Sequence, residues 1–137
     1  MRLVLSLLLP ADARFLPRTR GAISGYLEES GAHPDAVDDV VLALDEACAN
    51  VIRHAFPDGT TGSLRLHAEI DDHEVVVQVE DDGAGFDPCR VELSPGFEAT
   101  SGRGLAMIRK LMTEVDVESP TLSGGTKLVM SKDLDTP

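Results

Sequence analysis

The stretch DEACANVIRHAF, residues 45–56, sets a carboxylate, a carboxamide and a guanidinium on one side of an otherwise apolar helical pattern. At about 100° per residue, Glu46, Asn50 and Arg53 fall together, with Ala43 beside them. Val37, Val40, Val41, Leu44, Ala47, Cys48, Val51, Ile52 and Ala55 cluster in the opposite direction and predict the core face. Such a triad suits a solvated surface, but small Ala43, Ala47 and Ala49 leave room for something to approach.

Two glycine stretches downstream raise the same question. EDDGAGF, residues 80–86, follows a run of alternating valines, so Asp81 and Asp82 come at a strand end, where open α/β sheets bind ligands. Gly83 and Gly85 let the backbone take positive φ or come close to a ligand, although an acidic turn has the same composition. SGRGLAM, residues 101–107, sets Ser101 to Gly104 directly before a helical stripe of Leu105, Ile108, Leu111 and Met112. Exposed N–H groups at a helix start favour phosphate, and the same residues also suit a plain cap and loop. Neither stretch completes a Rossmann fingerprint, and no Gly-Lys-Ser/Thr of a Walker loop occurs. Each stretch is weak alone, and their order and spacing together carry the weight.

The elements that must position these residues follow from periodicity. Residues 2–9 alternate through Leu3, Leu5, Leu7 and Leu9 and predict a strand, although MRLVLSLLLPADA also mimics a secretory leader. Residues 13–30 predict a helix stopped by Gly31, with Pro17 a candidate for its true start. A second helix begins near Pro34 and runs to about Ala55, before Pro57. Residues 63–70 and 74–80 predict a hairpin turned by DDHE. Residues 82–101 read as a loop, 103–113 as a helix, and 114–118 with 126–132 as a final pair of strands. This order predicts an α+β fold: a two-layer α/β sandwich whose mixed, mostly antiparallel sheet is covered by helices on one face. The whole of 1–137 is expected to form one domain.

The net charge of −12 argues against direct nucleic-acid binding and fits solubility or a basic partner. Cys48 and Cys89 read as free thiols of a reducing compartment, and the four histidines show no metal-ligand spacing with them. No stretch reaches the length of a membrane span.

Four motifs in order resemble those of the GHKL ATPase superfamily, and the resemblance covers nearly the whole chain. Glu46-x-x-x-Asn50 with His54-Ala55 is similar to its N box, Asp81-x-Gly83-x-Gly85 to its first glycine box, and Gly102-x-Gly104-Leu105 to its second. GGTKLVM at 124–130 is similar to its closing Gly-Thr strand. EACANVIRHAF and LAMIRKLMTEVDV most resemble the bacterial anti-sigma factor serine/threonine kinases.

The resemblance implies a Bergerat-type ATP-binding fold and ATP with Mg²⁺ as cofactors. It implies that Asp81 accepts a hydrogen bond from the adenine amine, with Thr126 nearby. Asn50 gives an oxygen to Mg²⁺, residues 102–105 wrap the phosphates, and 86–101 form a lid. Glu46 becomes the general base toward a substrate Ser or Thr. Some members carry an Arg just before the second glycine box; here Thr100 and Ser101 stand there, and Arg103 and Arg53 are the candidates to replace it. The expected protein is a cytoplasmic regulator that phosphorylates an anti-sigma factor antagonist and sequesters a sigma factor. Homodimerisation is common in the family. The alternative is a nucleotide-dependent partner-binding module of the same fold without phosphotransfer.

Overall fold

The computed structural model describes residues 2–55, 62–83, 103–118 and 125–135. Strand β1 (Arg2–Pro10) alternates along its length, with Leu3, Leu5, Leu7 and Leu9 half-buried and the residues between them exposed. The leader-like run therefore forms a strand of the sheet. The helix expected over 13–30 is a 3-10 turn (Ala13–Phe15) followed by α1 (Leu16–Glu29). Pro17 sets its start, because a first turn leaves unpaired the N–H that proline lacks. Its end is a Schellman motif: the Ala32 N–H donates to the Leu27 carbonyl at 3.3 Å and the Gly31 N–H to that of Glu28 at 3.1 Å. Gly31 takes φ +84°, which a side chain would strain.

Helix α2 (Pro34–Ala55) is followed by β2 (Ser63–Asp71) and β3 (Glu74–Asp81), a hairpin that turns through Asp72 at φ +56°. Helix α3 (Arg103–Leu111), β4 (Glu114–Glu118) and β5 (Lys127–Asp133) complete the described elements. The sheet order is β1-β2-β3-β5-β4. The final strand pair is thus real, but β5 inserts between β4 and the central hairpin. All four pairings are antiparallel, so the sheet expected as mixed and mostly antiparallel is antiparallel throughout the described residues.

Register puts the alternating rows on one face: Leu5 opposite Ala68, Ala68 opposite Val77, Val77 opposite Met130, and Met130 opposite Val115. These rows form one core with Ile23 and Leu27 of α1, Val40, Leu44 and Cys48 of α2, and Leu105 and Ile108 of α3. The three described helices therefore cover the same face, and among the described residues no element covers the other, where Val4 and Leu8 are exposed. Tyr26 fastens α1 to the sheet by donating its hydroxyl proton to the Leu3 carbonyl at 2.6 Å, and burial pushes its phenol up from the usual range.

Helix α2 packs against both α1 and α3. Its buried arc is consequently wider than one apolar stripe and takes in Ala36 and Ala43, each 0% exposed. Ala43, expected beside the polar triad, is instead a core residue. Val41 and Ile52, expected in the core, are only partly buried.

Candidate functional site

Along β3 the inward row runs Val75, Val77, Val79 and then Asp81. A carboxylate thus ends an apolar series, and Asp81 is 4% exposed. Its backbone N–H donates to the Thr126 carbonyl at 3.0 Å, and the Thr126 N–H returns to Asp81 Oδ2 at 3.2 Å. The Gly83 N–H donates to Oδ1 at 2.8 Å. Desolvation pushes the carboxyl up from its ordinary value, and these two N–H groups pull it down. An ionised carboxylate offers about four lone-pair sites, so a buried, oriented acceptor keeps capacity for a ligand donor. Asp82 does something different: its Oδ1 accepts the Ser63 N–H at 3.0 Å and fastens the start of β2.

Gly125 is the residue that sequence reasoning passed over here. A Cβ at this position would run into the Asp81 carbonyl oxygen and lie 3.0 Å from its Oδ1. The obstacle is backbone, which cannot swing aside. Gly125→Ala should therefore lower stability by about 1–3 kcal/mol, as overpacking does, in denaturant unfolding of the ligand-free protein. The signal in the sequence was the paired glycine before Thr126, two residues ahead of an apolar strand.

On α2, Glu46 and Asn50 are half-buried at the rim of the buried arc, and Arg53 is exposed. Arg53 Nη2 donates to Asn50 Oδ1 at 3.3 Å, so a positive group stands beside that amide oxygen. Asp45, next to Glu46, is turned toward α1, where Arg20 Nη1 meets its Oδ1 at 2.6 Å. Arg103 and Gly104 open the first turn of α3, where N–H groups have no partner within the helix. Leu105 is 8% exposed and belongs to the core, so a ligand contact from this position would come from its backbone. Gly85 and Gly102, the 86–101 segment with Thr100 and Ser101, and Cys89 lie outside the described residues. Cys48 is buried and its thiol is pushed up to about 12 by desolvation, which makes it a packing group.

The structure thus joins Asp81, Gly83 and Thr126 at the meeting ends of β3 and β5, and Asn50 with Arg53 on α2. A cavity of about 270 Å³ at this end of the sheet is lined by Leu8, Ser63, Arg65, Glu80, Asp81 and Asp82. Among the described residues, no cluster of His, Cys, Asp and Glu is arranged to hold a metal ion by itself. No helix among them is long and apolar enough to cross a membrane.

A model of the histidine kinase-like ATPase domain matches residues 9–132. The chain is 29% identical to the anti-sigma F factor of Clostridium novyi over 120 residues, covering 84% of this chain and 83% of that one. It is 31% identical to the serine-protein kinase RsbW of Halalkalibacterium halodurans over 130 residues, covering 90% of this chain and 78% of that one. In a solved structure of the RsbU and RsbW domains of a Mycobacterium tuberculosis protein, the likeness extends over 98% of this chain with a TM-score of 0.73. That likeness is one of fold, at 24% identity, and this chain spans a third of that longer one.

Proposed function

The chain belongs to the histidine kinase-like ATPase family, and from that premise we propose that it is an ATP-binding anti-sigma kinase. It transfers the terminal phosphoryl group of ATP to a Ser or Thr of an antagonist protein, and it sequesters a sigma factor. The relatives' names support this reading, serine-protein kinase and anti-sigma factor alike. The observation that carries it is the buried Asp81 carboxylate, oriented by Gly83 and Thr126 at the end of an apolar row.

In this reading Asp81 accepts the adenine amine and Thr126 lines the base. The backbone of residues 102–105 wraps the phosphates, Gly83 and Gly85 are further nucleotide-binding residues, and Arg53 and Arg103 supply positive charge. The Asn50 amide oxygen, half-buried and with lone pairs beyond the one Arg53 uses, fits a hard cation that takes few protein ligands. Mg²⁺ bound there supplies charge neutralisation to the terminal phosphates. Glu46 takes the proton of the acceptor hydroxyl as its oxygen bonds to the γ-phosphorus; the bond from that phosphorus to the bridging oxygen breaks, and ADP leaves. We assign this action to the cytoplasm, where sigma factors work. Self-association as a homodimer belongs to the same reading, and sedimentation of the purified chain measures it.

The test is a nucleotide titration with and without Mg²⁺, followed by transfer from labelled ATP to a candidate antagonist. Failure to bind ATP would refute the whole reading, and binding without transfer would leave a partner-binding module. Within that experiment, Asn50→Ala should abolish the Mg²⁺ dependence of ATP binding and affect ADP less, because an ion held by Asn50 would neutralise the terminal phosphates. Equal Mg²⁺ enhancement in the variant and the wild type would remove Asn50 as the ligand.

A further inference from the structure

Lys132 breaks an apolar row. On the helix-facing side of β5 it follows Leu128 and Met130, and it is 8% exposed. A lysine is rarely this buried unless it is paired. Its Nζ donates to the Leu111 carbonyl oxygen at 2.7 Å and to Asp39 Oδ2 at 3.1 Å. Leu111 is the last residue of α3, where carbonyls lack partners within the helix and positive charge complements the helix dipole. Asp39 lies in the first half of α2. Beside this junction the Thr113 N–H donates to the Ser131 carbonyl at 2.8 Å, and the Asp133 N–H to Thr113 Oγ1 at 3.2 Å. The C-terminal end of α3 is thereby tied to β5 and, through one ammonium, to α2.

We propose that Lys132 is a positioning residue for the phosphate end of the nucleotide site: it sets α3, which begins at Arg103, against α2, which carries Asn50 and Glu46. This rests on the site reading given under Proposed function. Helix α3 has nine residues and is about 13 Å long, short enough to move as a rigid rod. Lys132 holds the end away from Arg103. Without it the rod tilts or slides against α2, and the N–H groups of its first turn lose their alignment. The base end is held separately, by the hydrogen bonds between Asp81 and Thr126. Loss of Lys132 therefore weakens recognition of phosphate and spares recognition of adenine, whereas general loosening would weaken both alike.

The test removes both charges together, Lys132→Met with Asp39→Asn, so that neither stays buried alone. ATP–Mg²⁺ and adenosine are titrated into wild type and variant, and amide hydrogen exchange is followed over residues 105–111 in the ligand-free proteins. The ratio of ATP to adenosine affinity should fall by about tenfold or more, the scale on which small misplacements act, and the α3 amides should exchange faster. An unchanged ratio in the folded variant overturns the proposal. Should the double variant be too unstable to titrate, Asp39→Ala alone removes the acceptor on α2 and is read by the same ratio. If wild type binds neither ligand, the site reading fails on its own account. The exchange measurement then still decides whether Lys132 holds the helix, and equal rates would show that it does not.

Discussion

A Glu46→Gln variant is expected to bind ATP as the wild type does and to transfer phosphate to the antagonist about 10²–10⁴-fold more slowly, the usual worth of a positioned general base. Glutamine keeps the size and the hydrogen bonding and removes the proton acceptor. Glu46 sits half-buried at the rim of α2, outside the core, so the exchange disturbs little packing. The neighbouring carboxylate is no substitute, because Asp45 points to α1 and meets Arg20 at 2.6 Å. Sequestration of the sigma factor, proposed to use other surface, should persist. Nucleotide titration, single-turnover transfer and sigma-factor pull-down on the same two proteins separate these outcomes. Transfer at the wild-type rate would remove Glu46 from the chemistry, while loss of ATP binding would mean that its carboxylate is a nucleotide contact instead.

The second large effect belongs to Asp81→Asn, which should weaken adenine-nucleotide binding by about 1–3 kcal/mol, or roughly 5- to 150-fold, in a protein that still folds. Asp81 accepts on both oxygens, from Gly83 and from Thr126. Asparagine has one acceptor oxygen, so its amide nitrogen faces an N–H on one side or the other and the orientation toward the ligand is lost. The pH dependence adds a signature. Desolvation raises the carboxyl of folded Asp81 above its ordinary 3.8. The folded chain therefore holds this proton where the unfolded chain has released it. The stability this gives is fully present below the ordinary value and is lost as pH rises through the folded one. The melting temperature of the nucleotide-free Asn variant should accordingly fall less than that of the wild type across the weakly acid range. Wild-type ATP affinity in a folded Asn variant would dismiss the pocket assignment.

What the sequence could and could not reveal divides along the range of the interactions. Alternation through Leu64, Leu66, Ala68 and Ile70, and the helical spacing from Val37 to Val51, are local signals, and the strands and helices follow them to within a residue or two. The order of the strands is not local, and nothing in GGTKLVM announces that β5 lies between β3 and β4. Ala43 lies in the core although its wheel position sets it beside the polar triad, because one helix wheel cannot reveal that α2 meets α1 on one flank and α3 on the other. Within the site, Asp81 and Thr126 are legible as motif members, but their mutual hydrogen bonds and the tight seat of Gly125 emerge only when β3 and β5 meet. Lys132 could have been noticed as a charge on the inward register of β5, whereas its partners Asp39 and Leu111 are set by tertiary packing alone.

The placement of β5 also orders events in time. A chain delivered from its N-terminus can pair β1, β2 and β3 and lay α1 and α2 over them well before β5 is made. Until then the valine-rich edge of β3 stays unpaired, an invitation to aggregation, and Asp81 lacks the N–H of Thr126, 45 residues further on. Pairings this distant in sequence form slowly. Insertion of β5 closes that edge and completes the carboxylate's hydrogen bonds in one move. Nascent chains halted ahead of residue 125 thus lack the finished site proposed for adenine, and on that assignment the capacity to hold nucleotide arrives together with the pairing of β5 and β3.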